Sequence, residues 1–503
     1  MNIPLLDWWF GCAVTLLVLV LRYFLARRCL SSLRNVSGPF TASLTVCWQF
    51  YHMVIKSDYA TEIVRQHRKH GTFVRIGPNE VSVSHPDAVC SVLMNQWWKS
   101  SWYRIFSFPD HTHLNLASHT DPKLRSHMWR TVGPGYTLAN VSKTEPYVDE
   151  CIVLLEQQLE SLSKRGQAID FDEWFAFLSL DIIGQATFSS RLGYLDAGRD
   201  IGLAISTVKV LAVYTTIMSH LVWLHDLTLG NPWLGKLGIA PNVKMVDICT
   251  PIIKARRENL SPRKDMMAEW LSIREKSPEK MKDSEIDDAA LLNVVAGAEG
   301  TGGVIQALFY FLLRAPKHLE RLRAELDNAD ANGQLSPVAQ IAETQKLTFL
   351  QACIKETYRF YCPIGAGMPR VVPNGGAQIC GRYFKSDTIL SVNAYAIHRN
   401  PDIFGADCDT FNPERWLNIS DQALMTPLWG AGYNKCAGQH LAHFEICKVA
   451  ATLIRDFDFG QIHPELKWIQ PQGFTCTPHG WPCWVKRRGQ HPRGEVETFL
   501  VKH

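Results

Sequence analysis

The run EIDDAALLNVVAGAEGTGGVIQALFYFLLR, residues 285–314, sets the tightest limit on how this chain can fold. It reads as one long, apolar-rich helix, yet Gly297, Gly300, Gly302 and Gly303 fall within seven residues of one another. Each glycine inside a helix costs about 1 kcal/mol relative to alanine. So dense a cluster implies that another helix crosses tightly there, that something large approaches the backbone, or that the helix is opened locally.

With 503 residues, 46% hydrophobic and 20% charged, the chain can bury a large core, as one big domain or as two or three smaller ones. A formal net charge of +4, with no extended Lys/Arg tract, gives no sign of a nucleic-acid partner. The 14 cysteines, scattered from Cys12 to Cys483, form no C-x-x-C pair and no Cys/His cluster at zinc spacing. A secreted disulfide scaffold is shorter and denser in cysteine. These thiols therefore read as reduced, mostly as small core residues, in a protein facing the cytosol.

The N-terminus carries WWFGCAVTLLVLVLRYFLARR, uncharged from Trp8 until Arg22. Extended through Ala26 it nearly reaches the ~20 residues of a spanning helix. Arg22, Arg27, Arg28 and Arg34 lie at one end and Trp8 and Trp9 at the other, so the short N-terminus is expected in the lumen and the rest in the cytosol. A cleaved signal peptide fits less well, because the n-region lacks positive charge and no A-x-A site follows. The Asn-x-Ser sequons at Asn35, Asn140, Asn259 and Asn418 then face the cytosol and stay unglycosylated.

Beyond a Gly-Pro break at 35–40, residues 73–85 alternate apolar and polar around a Gly-Pro turn and predict a hairpin. Helical patterns dominate 120–330, and short strands return at 370–395. No repeat or long linker divides residues 40–490. The expected fold is mainly α with a small β portion, in one large domain. The predicted units are residues 1–34 as anchor and basic flank, 35–490 as catalytic domain and 491–503 as tail. Residues 347–360 predict an amphipathic helix with Glu356 and Arg359 on one face. Embedded among Ile354, Tyr358 and Phe360, that pair is a candidate for burial, where a guanidinium needs more than one acceptor or partner. Arg415, in FNPERW, is the candidate second guanidinium.

In WGAGYNKCAG, residues 429–438, small residues crowd around Cys436. A thiolate ligates iron well, and a lone cysteine without companion ligands leaves the rest of the coordination plane to a macrocycle. Bare backbone lets a flat group lie close and frees amides for the sulfur. The N-terminus of the following helix favours the thiolate.

The order Glu356-x-x-Arg359, Pro413-Glu414-Arg415-Trp416, Gly430-x-Gly432-x-x-x-Cys436-x-Gly438 resembles the cytochrome P-450 superfamily, along nearly the whole chain to about residue 488. GPNEVSVSHPDAV, GMPRVVPNGGAQICGRYF and VNAYAIHRNPDIFGADCDTFNPERWL look like the fungal members related to pisatin demethylase, many of which act in secondary metabolism. The resemblance implies a haem (heme, iron protoporphyrin IX) with Cys436 as axial thiolate ligand. It makes Glu356, Arg359 and Arg415 the charge network under that group and Arg370 a propionate partner. It also sends the glycine-broken helix across the distal face.

Three departures from the family pattern stand out. The distal motif reads Ala296-Gly297-Ala298-Glu299-Gly300-Thr301: the acid Glu299 is kept, but Gly300 replaces the threonine that helps deliver protons. Thr301 sits about 100° further round the helix and substitutes only if the glycines distort it. Asn434 stands where the family has a cation. Arg125 and Trp129 occupy the positions of Trp-x-x-x-Arg with the two residue types exchanged, still one face of a helix.

The implied activity is oxygenation of a lipophilic small molecule by a membrane-bound haem-thiolate monooxygenase on the cytosolic face of the endoplasmic reticulum. Electrons come from a separate NADPH-cytochrome reductase, with Lys435 and Lys448 as docking candidates. Residues 95–118 are expected at the distal entrance and 201–245 as a lid. The missing threonine motivates a second reading, rearrangement, dehydration or oxidative coupling without net oxygen insertion. A haem carrier or sensor without turnover is the reading from another class.

Overall fold

The computed structural model describes residues 3–489 apart from 108–110, 229, 234–236, 238–240, 260–262 and 419–425. The predicted tail, 491–503, lies outside the described residues, as do parts of the 95–118 and 201–245 segments. The elements that matter below are α1 (Ile3–Cys29), β1 (Phe73–Gly77), β2 (Glu80–Val83), α2 (Pro122–Val132), α3 (Glu145–Lys164) and α4 (Phe171–Phe188). They continue with α5 (Ala204–Met218), α6 (Pro241–Glu258), α7 (Asp283–Leu313), α8 (Thr348–Phe360), β3 (Met368–Val371), β4 (Ile389–Val392) and α9 (Gln439–Asp456).

The architecture is mainly helical. Helix α7 runs unbroken for 31 residues and packs along α4, with α8 and α9 also against it. Helix α4 is buried on every side from Trp174 to Phe188, as a helix apolar all round must be. Each Phe, Leu or Ile fully enclosed there contributes about 1.5–3 kcal/mol of transfer free energy.

The glycine cluster of α7 divides by role. A Cβ on Gly297 would fall 2.6 Å from Ile183, one on Gly302 3.0 Å from the Phe175 carbonyl, and one on Gly303 2.5 Å from the Tyr361 hydroxyl. These three glycines let α4 and Tyr361 close onto the helix. At Gly300 a Cβ would meet no described atom within 4 Å. No local opening is present, so Thr301 does not rotate into the position of Gly300.

The predicted hairpin is β1–β2, antiparallel with Phe73 opposite Val83. Strand β2 pairs parallel with β4 and β4 antiparallel with β3, giving the order β1-β2-β4-β3. The sheet has its own apolar clusters, separate from the helical core.

Helix α1 leaves Trp9, Phe10, Leu16, Leu17 and Leu19 exposed. Among the described residues, one run, Ile201–Met218, is long and apolar enough to cross a membrane by composition. Within it α5 packs against α6 and α7, as a core-facing helix of a folded domain does.

Candidate functional site

The thiol loop is shaped by Gly430 and Gly432, both at positive φ (70° and 60°), where L side chains are strained. A Cβ on Gly432 would also lie 2.8 Å from the Leu93 carbonyl oxygen. The Cys436 amide donates to the Trp429 carbonyl (2.7 Å), which ties down the loop. Cys436 presents open surface, but its thiol lies deep enough that burial raises it above the ordinary range. The amides of Gly438 and Gln439, then Arg125 and Lys435, act against that rise. The start of α9 thus favours the thiolate without outweighing desolvation, and a bound metal cation would complete deprotonation. A Cβ on Gly438 would meet no described atom within 4 Å.

Three cations are gathered nearby. Arg370, on β3, is 2% exposed, Arg125, on α2, 4%, and Lys99 5%. Residues Lys99 and Arg370 form a backbone bridge, so two segments far apart in sequence lie side by side. The Arg370 guanidinium donates to the Tyr103 hydroxyl (3.0 Å) and Lys99 Nζ to the carbonyls of Leu116 and Ala117 (3.1 and 2.9 Å). Among the described residues no carboxylate lies within ion-pair range of any of the three, and Nε of Arg125 and of Arg370 is buried without an acceptor. Both amide atoms of Asn434 are likewise buried without a partner of hydrogen-bond geometry. Burial, followed by mutual repulsion, holds Lys99 well below the usual lysine range. Arg125 is lowered to about 10, chiefly by burial. Buried cations without anions are costly, and an anionic ligand removes that cost. The Trp129 ring stacks on Tyr136 (6.1 Å) and under the Arg125 guanidinium (5.1 Å).

Glu356 and Arg359 are both fully buried and meet in a bidentate pair (2.8 and 2.9 Å). Arg415 Nε donates to the same carboxylate at 3.2 Å, the Trp416 indole at 2.8 Å and the Asn412 amide at 2.8 Å. Arg359 donates further to the carbonyls of His398 (2.8 Å) and Cys408 (2.6 Å), so its extra acceptors come from backbone.

On α7, Glu299 lines a cavity of about 490 Å³, reached by Asp170 and Asp172 at the start of α4, Lys209 of α5 and Gln306 about two turns further along α7. Burial pushes the Glu299 carboxyl up to about 7 against the pull of Lys209, and one of its oxygens has no partner. Thr301 is not among the residues lining this cavity.

One expectation is corrected. Lys448 is fully buried and paired with Glu145 (2.8 Å) and Asp149 (2.7 Å) of α3, so it cannot serve as a docking residue. It lies mid-way along α9, on the face turned to the core. Lys435 is exposed.

Sequence reasoning missed Lys99, Tyr103, Asn412 and Trp416. Lys99 sits in the aromatic NQWWKSSWYR run, where a lysine set among tryptophans was a signal in itself. The set of residues fits a flat group with a thiol-binding metal and anionic arms: free amides and sulfur on one side, unpartnered buried cations at the edge, and open space beside Gly300 and Gly438.

A family model described as Cytochrome P-450 matches residues 37–480. A cytochrome P-450 monooxygenase of Aspergillus terreus is 32% identical over 86% of this chain and 91% of its own length. The monooxygenase cicH of Emericella nidulans is 31% identical over 91% of this chain and 94% of its own. Pisatin demethylase of Fusarium vanettenii is 27% identical over 90% and 89%.

Proposed function

The chain belongs to the cytochrome P-450 family, and from that premise we propose that Cys436 supplies the haem thiolate, with Lys99, Arg125 and Arg370 holding the propionates. Members of this family are oxidoreductases that bind haem through a cysteine thiolate, take a small-molecule substrate and depend on a redox partner. Similar proteins are monooxygenases of fungal secondary-metabolite pathways.

When bound, the haem supplies the redox-active iron at which dioxygen is activated. The protein's part is to bind, orient and neutralise. The Gly438 and Gln439 amides bond to the sulfur and temper its donor strength. Three cations neutralise the anionic edge, Lys99 standing in for the charge that Asn434 lacks. The Glu356–Arg359–Arg415 network fixes the loop beneath the site by its bonds to the 398–412 backbone. With a value near neutrality, Glu299 can hold or pass a proton beside the distal face.

The observation that carries this reading is a single thiol, met by two backbone amides, next to three buried cations that have no anionic partner. The test is the absorption of the reduced, carbon monoxide-treated protein. A red-shifted Soret band of thiolate ligation is expected, lost in Cys436→His; its absence in fully loaded wild type sinks the proposal.

A second reading rests on Gly300, where no hydroxyl is available and α7 is not distorted to bring Thr301 in. Rearrangement, dehydration or oxidative coupling without net oxygen insertion follows if proton delivery fails. Labelled dioxygen decides: one labelled atom in product supports monooxygenation, none supports the alternative.

The electron donor in this reading is an NADPH-cytochrome reductase and the location the cytosolic face of the endoplasmic reticulum. The exposed apolar surface of α1 and the arginines at its end support a membrane anchor. Deleting residues 1–34 should move the protein from the membrane pellet to the soluble fraction; retention in the pellet counts against the anchor.

A further inference from the structure

The cavity that Glu299 lines is bounded by α4, α5, α7 and residues 471–480, and the buried unpartnered side-chain atoms of Asp170, Asp172, Glu299 and Gln306 on its wall are one-sided. Asp170 and Asp172 each leave Oδ1 buried and unpartnered, Glu299 leaves Oε1, and Gln306, only 1% exposed, leaves Oε1. With the acids ionised all four atoms are acceptors, whereas a proton on Asp170 can be shared with Asp172. Residues 299, 302, 303 and 306 form one stripe of α7, so the Glu299 and Gln306 side chains share a face. The carboxyls of Asp170, just before α4, and Asp172, in its first turn, line the same cavity.

Donors are scarce. Lys209 reaches Asp172 only at 3.5 Å and is half exposed, so it neutralises weakly. His479, the other basic residue on the wall, has Nδ1 next to the Thr477 carbonyl (3.2 Å). The rest of the wall includes Met53, Ile205, Ala212 and Val213, an apolar surface for a lipophilic body. A buried acceptor without a donor costs about 1–3 kcal/mol. Four together, three of them on carboxyls, are best satisfied by a ligand that brings both N–H and positive charge.

We propose that this cavity recognises a substrate carrying a protonated nitrogen on a lipophilic skeleton, the ammonium held among Asp170, Asp172, Glu299 and Gln306. The proposal deepens the monooxygenase reading and rests on it for the claim that the cavity leads to the reacting centre. It also sets a pH dependence. Burial, then the neighbouring Asp172, pushes Asp170 up to about 8, and burial pushes Glu299 up to about 7. The charged neighbours are Asp172 and Glu173 from α4, Lys209 from α5 and, when protonated, His479. An incoming cation favours the ionised acids, so its affinity climbs as pH rises through 7 and 8.

The experiment is equilibrium dialysis of the haem-loaded full chain against three probes of equal length: N,N-dimethyloctylammonium, octan-1-ol and octanoate. The cation is expected to bind about tenfold or more tighter than either of the others. In Asp170→Asn/Asp172→Asn that preference should shrink to about twofold, with octan-1-ol binding unchanged. Iron ligation by free amine is insensitive to those carboxyls, so the double variant separates the two modes. The Asp170 side chain makes no cap bond to α4, so asparagine removes its charge without removing a cap, and a wild-type Soret spectrum reports that the variant is folded. Equal binding of the three probes, tighter binding of octanoate, or a preference that survives the double substitution overturns the proposal. The carbon monoxide signature separates the two levels: its absence overturns the premise and this proposal with it, whereas a normal signature with charge-blind binding overturns this proposal alone.

Discussion

Glu356 accepts five donors on two oxygens: two from Arg359, one each from Arg415, Trp416 and the Asn412 amide. Replacing it by Gln leaves Arg359 without its counter-charge in the core and Arg415 with Asp407 alone (2.9 Å). Removal of one partner of a buried pair costs about 3–5 kcal/mol, so Glu356→Gln should fold poorly and lose haem, read as soluble yield and haem occupancy. Near-normal thermal stability would show that the network is not structural. The i,i+3 spacing of Glu356 and Arg359 was readable from the chain. Trp416 and Asn412 were not, because their donors arrive from a loop whose path no local pattern encodes. The same holds for the placing of Lys99 beside Arg370, which pairing between distant backbone segments brings about. If these two neutralise propionates, Arg370→Ala and Lys99→Met should each weaken haem retention by about 1.5–3 kcal/mol, the range for charged hydrogen bonds. Haem loss to apomyoglobin measures it, and wild-type retention in both variants removes the assignment.

Among elements, α7 shows why glycines of one cluster differ. Gly302 abuts the Phe175 backbone, which cannot swing aside, so Gly302→Ala should separate α4 from α7 at a cost of about 1–3 kcal/mol. Gly300→Ala meets no described atom and gains helix propensity, raising stability by up to about 1 kcal/mol. Differential scanning calorimetry of the two variants should give melting shifts of opposite sign; a common sign contradicts the division. The sequence pattern announced that something comes close to this helix, and it offered crossing and approach as rival causes. Both operate, on different faces, and only the packing partner of each glycine tells them apart. Lys448 makes the complementary point. A lysine on a helix suggests a surface charge, yet this one is enclosed because Glu145 and Asp149 of α3 lie opposite it.

At the scale of the whole molecule, four enclosed acids share one direction of shift. Glu445, 1% exposed and bonded to Ser179 (2.6 Å), is pushed by burial from its ordinary 4.5 up to about 8. Glu80, Glu299 and Asp170 are raised in the same sense. The folded state therefore holds protons that the unfolded chain releases. Stability is present at low pH and declines as pH rises from about 4.5 towards 8, by at most about 1.4 kcal/mol per pH unit for Glu445. Glu445→Gln keeps the acceptor for Ser179 and should flatten that decline in denaturant titrations; an unchanged slope refutes it. Taken by itself, the amino-acid order determined the helical class, the hairpin at 73–85, the thiol on its bare loop and the Glu356–Arg359 pair. Each is written in residues close together along the chain, where spacing and backbone sterics act directly. The tertiary structure alone decided which cations gather beside Cys436, which α7 glycines are covered, and that four unpaired acceptors share one cavity. Those outcomes depend on segments brought together by burial, and the desolvation that alters their charges exists only once the core has closed around them.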